Sequence, residues 1–270
     1  MKRSVCRYSS DAAARDPAPR AGRDPAARTF AAGVRAAAAA MLAALAAAPG
    51  GAAQIMPPTY TATYDVAYKG RDVGSSEFSV SYDETRGVYT FRSHTRVKGM
   101  LRLFSPNAVV ERSEFVVEHG RLRPLEFWYE DGSRKGKDNY HAQFDWEAGK
   151  AVIEGEKRVE LDLPPGALDR GSMQVAVMVD MASGAAPGPY VLADEDSLKT
   201  YEYMLEGEQA LRTPQGELHT VRYRQQRQGS SRSTVLWAAP SLDYLPVRIE
   251  QHRGGEAETV FALTAVEGLE

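Results

Sequence analysis

The sequence predicts an all-β protein, mainly an antiparallel meander forming a strongly curved sheet or half-open barrel, with one packed α-helix. Three observations carry this. From Tyr60 onward apolar and polar residues alternate with period two, the pattern of strands buried on one face. Short turns rich in Gly and Asp separate the runs, whereas parallel pairing would need crossovers of about a dozen residues or more. One stretch, residues 168–183, changes to helical spacing.

In YTATYDVAYKG, Tyr60, Ala62, Tyr64, Val66 and Tyr68 point one way while Thr61, Thr63, Asp65 and Lys69 point the other. The next run puts Gly74, Phe78, Val80 and Tyr82 on one face. After the turn DETRG, Tyr89, Phe91 and Val97 stand opposite Arg92, His94 and Arg96. The pattern continues through VVERSEFVVE, HGRLRPLEFWYE, DNYHAQFDW and KAVIEGEKRVELDL, and resumes in SLKTYEYMLEGEQAL, ELHTVRYRQQR, RSTVLWAA, LPVRIEQHR and TVFALTAVE. That is about a dozen strands. In LWAAPSLDYLPVRIE the segment PSLDY reads as the loop of a hairpin, with Pro246 tolerated at the start of the returning strand.

The exception is LDRGSMQVAVMVDMAS, where Met173, Val177 and Met181 fall at i, i+4 and i+8 behind Asp169, a favourable N-cap. It reads as one helix, apolar on most sides, packed on the concave face of the sheet or closing one end of it.

Residues 1–53 differ in composition and read as a leader and signal peptide: a basic segment, the apolar run AAAAAMLAALAAA, and small residues at Gly51 and Ala53 before Gln54. That run is short for a bilayer core of about 30 Å. Eight of the 33 basic and three of the 36 acidic residues lie in the leader, so residues 54–270, read as a single β-rich domain, hold 25 against 33 and a net charge of −8. Such a balance argues against nucleic acid or an anionic membrane surface as partner. The single cysteine, Cys6, also lies in the leader, which leaves the domain without disulfide, thiolate or cysteine metal ligand. The expectation is export to the periplasm with no integral membrane anchor in the mature chain.

Little points to catalysis. The five histidines form no H-x-H or H-E-x-x-H pair, there is no G-x-S-x-G, and DGSRKGK lacks P-loop spacing and reads as a solvated hairpin tip. The acidic run Asp194, Glu195, Asp196 reads as a charged turn, without the alternating ligands and bend glycine of a calcium loop. No cofactor, metal or catalytic residue is assigned.

TPQGELHTVRYRQ, LWAAPSLDYLPVRIE, FDWEAGK and LPPGALDRGSMQ, in that mutual relation, resemble the bacterial family known as domain of unknown function 3108. The resemblance runs from about Tyr64 to Leu263 and rests on the W-x-A-P-x-x-x-Y-L-P-V-R-I block and the T-P-x-G turn. It implies an exported, β-rich protein, supplies no catalytic residues, and leans toward the curved half-barrels of lipoprotein carriers. After ALDR, where the family pattern has an apolar residue, this chain has Gly171.

The aromatic residues of the first three strands exceed what a thin core requires, which suggests that part of their face lines a cavity. The leading expectation is a non-enzymatic carrier or sensor binding an amphiphile or lipid-like ligand in the concave face under the helix. Its walls would be Tyr64, Phe78, Phe91, Met173 and Val177, with Arg92, His94 and Arg96 as a polar rim. The alternative is a structural or interaction protein of the cell envelope, with an envelope protein as partner and no small ligand. A hydrolase with a site dispersed over several strands ranks third.

Overall fold

A computed structural model describes residues 55–103, 106–227 and 229–269. The leader, its cleavage site and the apolar run lie outside the described residues.

The chain first lays down eight strands: β1 (Tyr60–Tyr68), β2 (Arg71–Asp83), β3 (Val88–Val97), β4 (Val109–Glu118), β5 (Arg121–Glu130), β6 (Tyr140–Asp145), β7 (Lys150–Glu154) and β8 (Arg158–Asp162). The helix α1 (Arg170–Ala182) follows. Six more strands complete the fold: β9 (Tyr190–Asp194), β10 (Ser197–Thr213), β11 (Gly216–Arg227), β12 (Arg232–Ala239), β13 (Leu245–Arg253) and β14 (Glu256–Glu267). All fourteen join one antiparallel sheet in the order 8-7-6-5-4-3-2-1-14-13-12-11-10-9. Every pair of strands consecutive in sequence is hydrogen-bonded except β8 and β9, which the helix separates, and β14 closes onto β1 with Tyr64 opposite Leu263.

The sheet begins in its middle and ends beside its beginning, so its two edges are β8 and β9. These edges come together. Leu168, just past β8, accepts from Ala193 N–H and donates to Val191 C=O, both at 2.9 Å, forming a parallel bridge to β9. Tyr140 of β6 reaches the same edge and donates to Asp194 at 2.8 Å. The result is a nearly closed barrel in which β9 no longer presents a free row of backbone groups for another chain to pair with.

The expected curved antiparallel sheet with one helix is what the chain forms. Two strands more than expected appear, each for a local reason. KAVIEGEKRVELDL splits at Gly155 into β7 and β8. YVLAD, as β9, is five residues long and buries three consecutive residues, Leu192, Ala193 and Asp194, so it carries no alternation. Tyr68 and Tyr82, expected on the apolar face, sit near strand ends and are 41% and 43% exposed.

Inside the barrel lies α1. Nine of its thirteen residues are buried, among them Met173, Val177 and Met181. The helix packs on β3, β4, β5 and β9, not centrally. Asp169 explains its position. This N-cap is fully buried, and its carboxylate accepts from Gly171 N–H at 2.7 Å, Ser172 N–H at 2.9 Å and the Ser113 hydroxyl of β4 at 2.7 Å. Ser172 Oγ accepts from the Asp169 N–H at 3.0 Å and completes a capping box. One side chain therefore satisfies the helix start and ties it to the sheet.

Gly171, the departure from the family pattern, is the second half of this contact. A Cβ there would lie 2.6 Å from Ser113 Cβ and 2.8 Å from Phe91 Cδ1. Glycine does not weaken the start of the helix; it allows the backbone to rest on β3 and β4.

The hairpin in LWAAPSLDYLPVRIE forms as expected, turning through a 3-10 segment at Pro240–Leu242 and left-handed residues Asp243 and Tyr244. Trp237 is 6% exposed, and Arg222 and Arg248 stand directly opposite it on the neighbouring strands, 5.1 and 5.7 Å from its ring centroid. The tryptophan is scaffold, shielded by two cations stacked along its faces.

Gly171→Ala is expected to destabilise the protein by about 1–3 kcal/mol through overpacking, even though alanine outranks glycine in a helix by about 1 kcal/mol. Urea unfolding reads the difference; an unchanged or higher midpoint would contradict the close approach.

Candidate functional site

The barrel is incompletely filled around the first half of α1, whereas Val177 and Met181 farther along pack on Leu236 and Ala238 of β12. A cavity of about 740 Å³ remains beside the helix, lined by strands β10–β14 and also by residues of β1–β5 such as Phe78, Thr95, Glu111 and Tyr129. Met173 and Val177 line it from the helix, and Leu236, Ile249 and Phe261 face them from β12, β13 and β14. Gln225 crosses the gap, donating to Tyr203 Oη at 2.9 Å and touching Met173 Sδ at 3.4 Å.

The residues expected to form the site divide into three groups. Phe78, Met173 and Val177 line the cavity. Tyr64 and Phe91 are wholly buried in the core: Tyr64 donates to Pro246 C=O at 2.9 Å and packs on Phe78 with ring centroids 4.8 Å apart, while Phe91 lies under Gly171. Arg92, His94 and Arg96 do not form a rim. They alternate with the inward residues Phe91, Ser93 and Thr95, so their side chains leave the other side of the sheet. His94 and Arg96 border a second recess of about 650 Å³, with Arg102, Asn107 and Glu130. Burial lowers the pKa of His94, and Arg96 and Arg92 lower it further.

The polar end of the cavity is built from Arg170, Glu111, Asp194 and Lys199, none of which stands out as a site residue in the sequence. Arg170, the first residue of α1, stacks over the Tyr129 ring at 4.4 Å and stands 3.1 Å from Glu111 Oε1 and 3.7 Å from Asp194 Oδ1. Lys199 Nζ donates to Asp194 Oδ2 at 3.1 Å. Glu111 stands opposite the inward-facing Ser93 in the register of β3 and β4. It lies on the inner face beside Arg170, and the side chain of Asp194, in the acidic run that reads as a charged turn, is 7% exposed.

Two cations and two carboxylates thus share a poorly solvated corner. Burial raises the pKa of Glu111, with Arg170 opposing. Burial works against the charged forms of Arg170 and Lys199, yet the neighbouring carboxylates hold both pKa values above the ordinary range. Ion contacts aside, Arg170 Nε and Nη2 have no hydrogen-bond partner although both atoms are buried. The corner offers donors and fixed charge to a polar group entering the cavity. It contains no nucleophile–base pair, and among the described residues no three His, Asp or Glu side chains are grouped to hold a metal.

Residues 63–255 match the family model described as Protein of unknown function (DUF3108). No curated protein matches the chain. Among solved structures, a complex of Pseudomonas aeruginosa MucA and MucB is similar at 13% identity and a TM-score of 0.32, over 77% of this chain and 51% of that one. This chain therefore spans about half the length of that match. A crystal structure of MucB in complex with MucA(peri) aligns at 9% identity and a TM-score of 0.13, over 79% and 94% of the respective chains. Both scores are too low to carry an argument about fold or function.

The buried N-cap beside this cavity generates a pH prediction. Burial pushes the Asp169 carboxyl up from 3.8 to about 6, the hydrogen bonds from Ser172, Ser113 and Gly171 opposing the shift. A carboxyl with a raised pKa binds its proton more tightly when folded, so this contribution to stability is fully present below 3.8 and is lost as pH rises through about 6. Asp169→Asn keeps the acceptor oxygen but does not titrate. Relative to this variant, wild-type stability in urea is expected to rise on acidification from pH 7 to pH 4.5. Parallel curves for the two proteins would mean that Asp169 does not titrate in that window.

Proposed function

The chain belongs to the DUF3108 family of proteins of unknown function, and from that premise we propose that it is an exported envelope protein that receives an amphiphile between α1 and the β10–β14 wall. The observation that carries this reading is the cavity itself. At about 740 Å³ it falls within the range of small-molecule sites, and it combines an apolar interior with a polar corner at Arg170. Met173, unbranched and polarizable, adapts to variable apolar shapes. The wall-forming role of Phe78, Met173 and Val177 belongs to this reading, with Tyr64 and Phe91 as the support behind them.

The division into a leader over residues 1–53 and a domain over residues 54–270, and release into the periplasm, are parts of the same proposal, supported by the basic and apolar segments before Gln54. No helix among the described residues is long and apolar enough to cross a membrane. The protein acts here without cofactor or chemical step. A second reading, an envelope protein that binds another protein, is favoured by one feature: Met204 and Leu205, adjacent on β10 at a bulge before Gly207, are 49% and 60% exposed.

Met173→Trp separates an open cavity from a packed core. The proposal expects wild-type protein to bind an environment-sensitive fluorescent fatty acid, and the variant to bind it at least about tenfold more weakly, a difference of about 1.4 kcal/mol, with stability changed by less than about 1 kcal/mol. Absence of probe binding to the wild type, with a loss of about 1–3 kcal/mol on substitution from overpacking, would refute it.

A further inference from the structure

The cavity wall formed by β11, β12 and β13 is graded along the strands, and the register makes the grading explicit. Innermost, Leu236 pairs with Ile249, and Ile249 with Phe261. One step outward on the same face, Gln225 pairs with Thr234 and Thr234 with Gln251. At the next inward-facing position Arg232 pairs with Arg253, and Arg227 follows Gln226, the partner of Ser233, so it falls beside Arg232. Three guanidiniums therefore stand in a row across three strand ends, above a polar row and then an apolar one. All three residues line the cavity mouth.

Like charges placed directly opposite each other on neighbouring strands destabilise a sheet. Here no ion pair among the described residues offsets them. All three arginines are exposed, and none forms an ion pair among the described residues. Among the acids that line the cavity or face the row, Asp194 and Glu195 contact Lys199, Glu258 contacts Lys69, and Glu256, opposite Arg253 in register, makes no ion pair with it. A cationic row without ion-pair partners also runs against the acidic balance of residues 54–270.

We infer that Arg227, Arg232 and Arg253 form the head-group site for an anionic amphiphile, its carboxylate or phosphate at the mouth and its chain running inward past Thr234 and Gln251 to Leu236, Ile249 and Phe261. Guanidinium forks match a pair of oxygens on a carboxylate or phosphate and give paired, charge-assisted hydrogen bonds. The grading fixes the orientation of the ligand: head outward at the strand ends, tail toward Val177 of the helix. This assignment rests on the amphiphile reading above and adds the sign of the head group and the direction of entry.

The test compares a fatty acid carrying a dansyl group near its far end with its methyl ester, which differs only in the charge of the head. Wild-type protein should bind the acid about tenfold or more tightly than the ester, the worth of one charge-assisted hydrogen bond. Substituting Arg227→Gln, Arg232→Gln and Arg253→Gln together should bring that ratio close to one, with the unfolding midpoint confirming that the variant is folded. Equal binding of acid and ester by the wild type would overturn the head-group site while leaving the amphiphile reading standing, as would a preference that survives the triple substitution. Inorganic phosphate, lacking a chain, should displace the acid only weakly; displacement as effective as that by unlabelled fatty acid would mean a free-anion site and overturn the inference. Failure of both probes to bind would remove the amphiphile reading as well.

Discussion

The structure depends on the seat of α1 against β3 and β4. There a buried carboxylate, Asp169, ties two helix N–H groups and the Ser113 hydroxyl together, and a glycine lets the helix backbone rest on Phe91 and Ser113. Neither half works alone. Without the carboxylate the helix start would leave buried donors unpaired, which is costly; with a larger residue at 171 the helix would be displaced from the sheet. Since α1 is also the segment that carries the chain from β8 to β9, the same contact helps determine how far the sheet curls before its edges meet.

An off-centre helix in a barrel of this size leaves space on one side, and the sequence surrounds that space with graded chemistry. A core that merely needed filling would have larger apolar residues where Thr234, Gln225 and Gln251 stand. The corner formed by Arg170, Glu111, Asp194 and Lys199 has a second consequence. Its charges compensate each other so closely that the first turn of the helix and the hairpin between β9 and β10 are held together at the mouth. Buried pairs of this kind add little net stability compared with apolar packing, but separating one partner from the other is expensive. They fix the geometry of the opening.

Much of the fold is legible in the sequence because period-two alternation survives wherever a strand has one wet and one dry face. It fails for β9, which lies at the junction of the two edges and buries both faces. Asp169 is readable as an N-cap from its position before the helical run, whereas the reason for Gly171 is tertiary, a contact with residues 80 and 58 positions earlier in the chain, Phe91 and Ser113. The candidate site is less legible. Arg92, His94 and Arg96 already stood opposite Phe91 in the alternation, so their outward direction was available from the sequence. Arg227, Arg232 and Arg253 look like ordinary turn-flanking charges, and only the register of three strands brings them into one row. Asp194 was hidden by its exposed neighbours Glu195 and Asp196, which made the whole run resemble a solvated turn.

The central claim, that the seat of α1 leaves a space occupied by an acyl chain, is tested most directly by anomalous X-ray scattering from crystals grown with a fatty acid brominated at its terminal carbon. The account predicts a bromine peak enclosed by Val177, Leu236 and Phe261, with α1 still resting on Ser113 through Asp169 and Gly171. A cavity holding only water, or a helix shifted to fill it with the bromine bound elsewhere, would contradict the account.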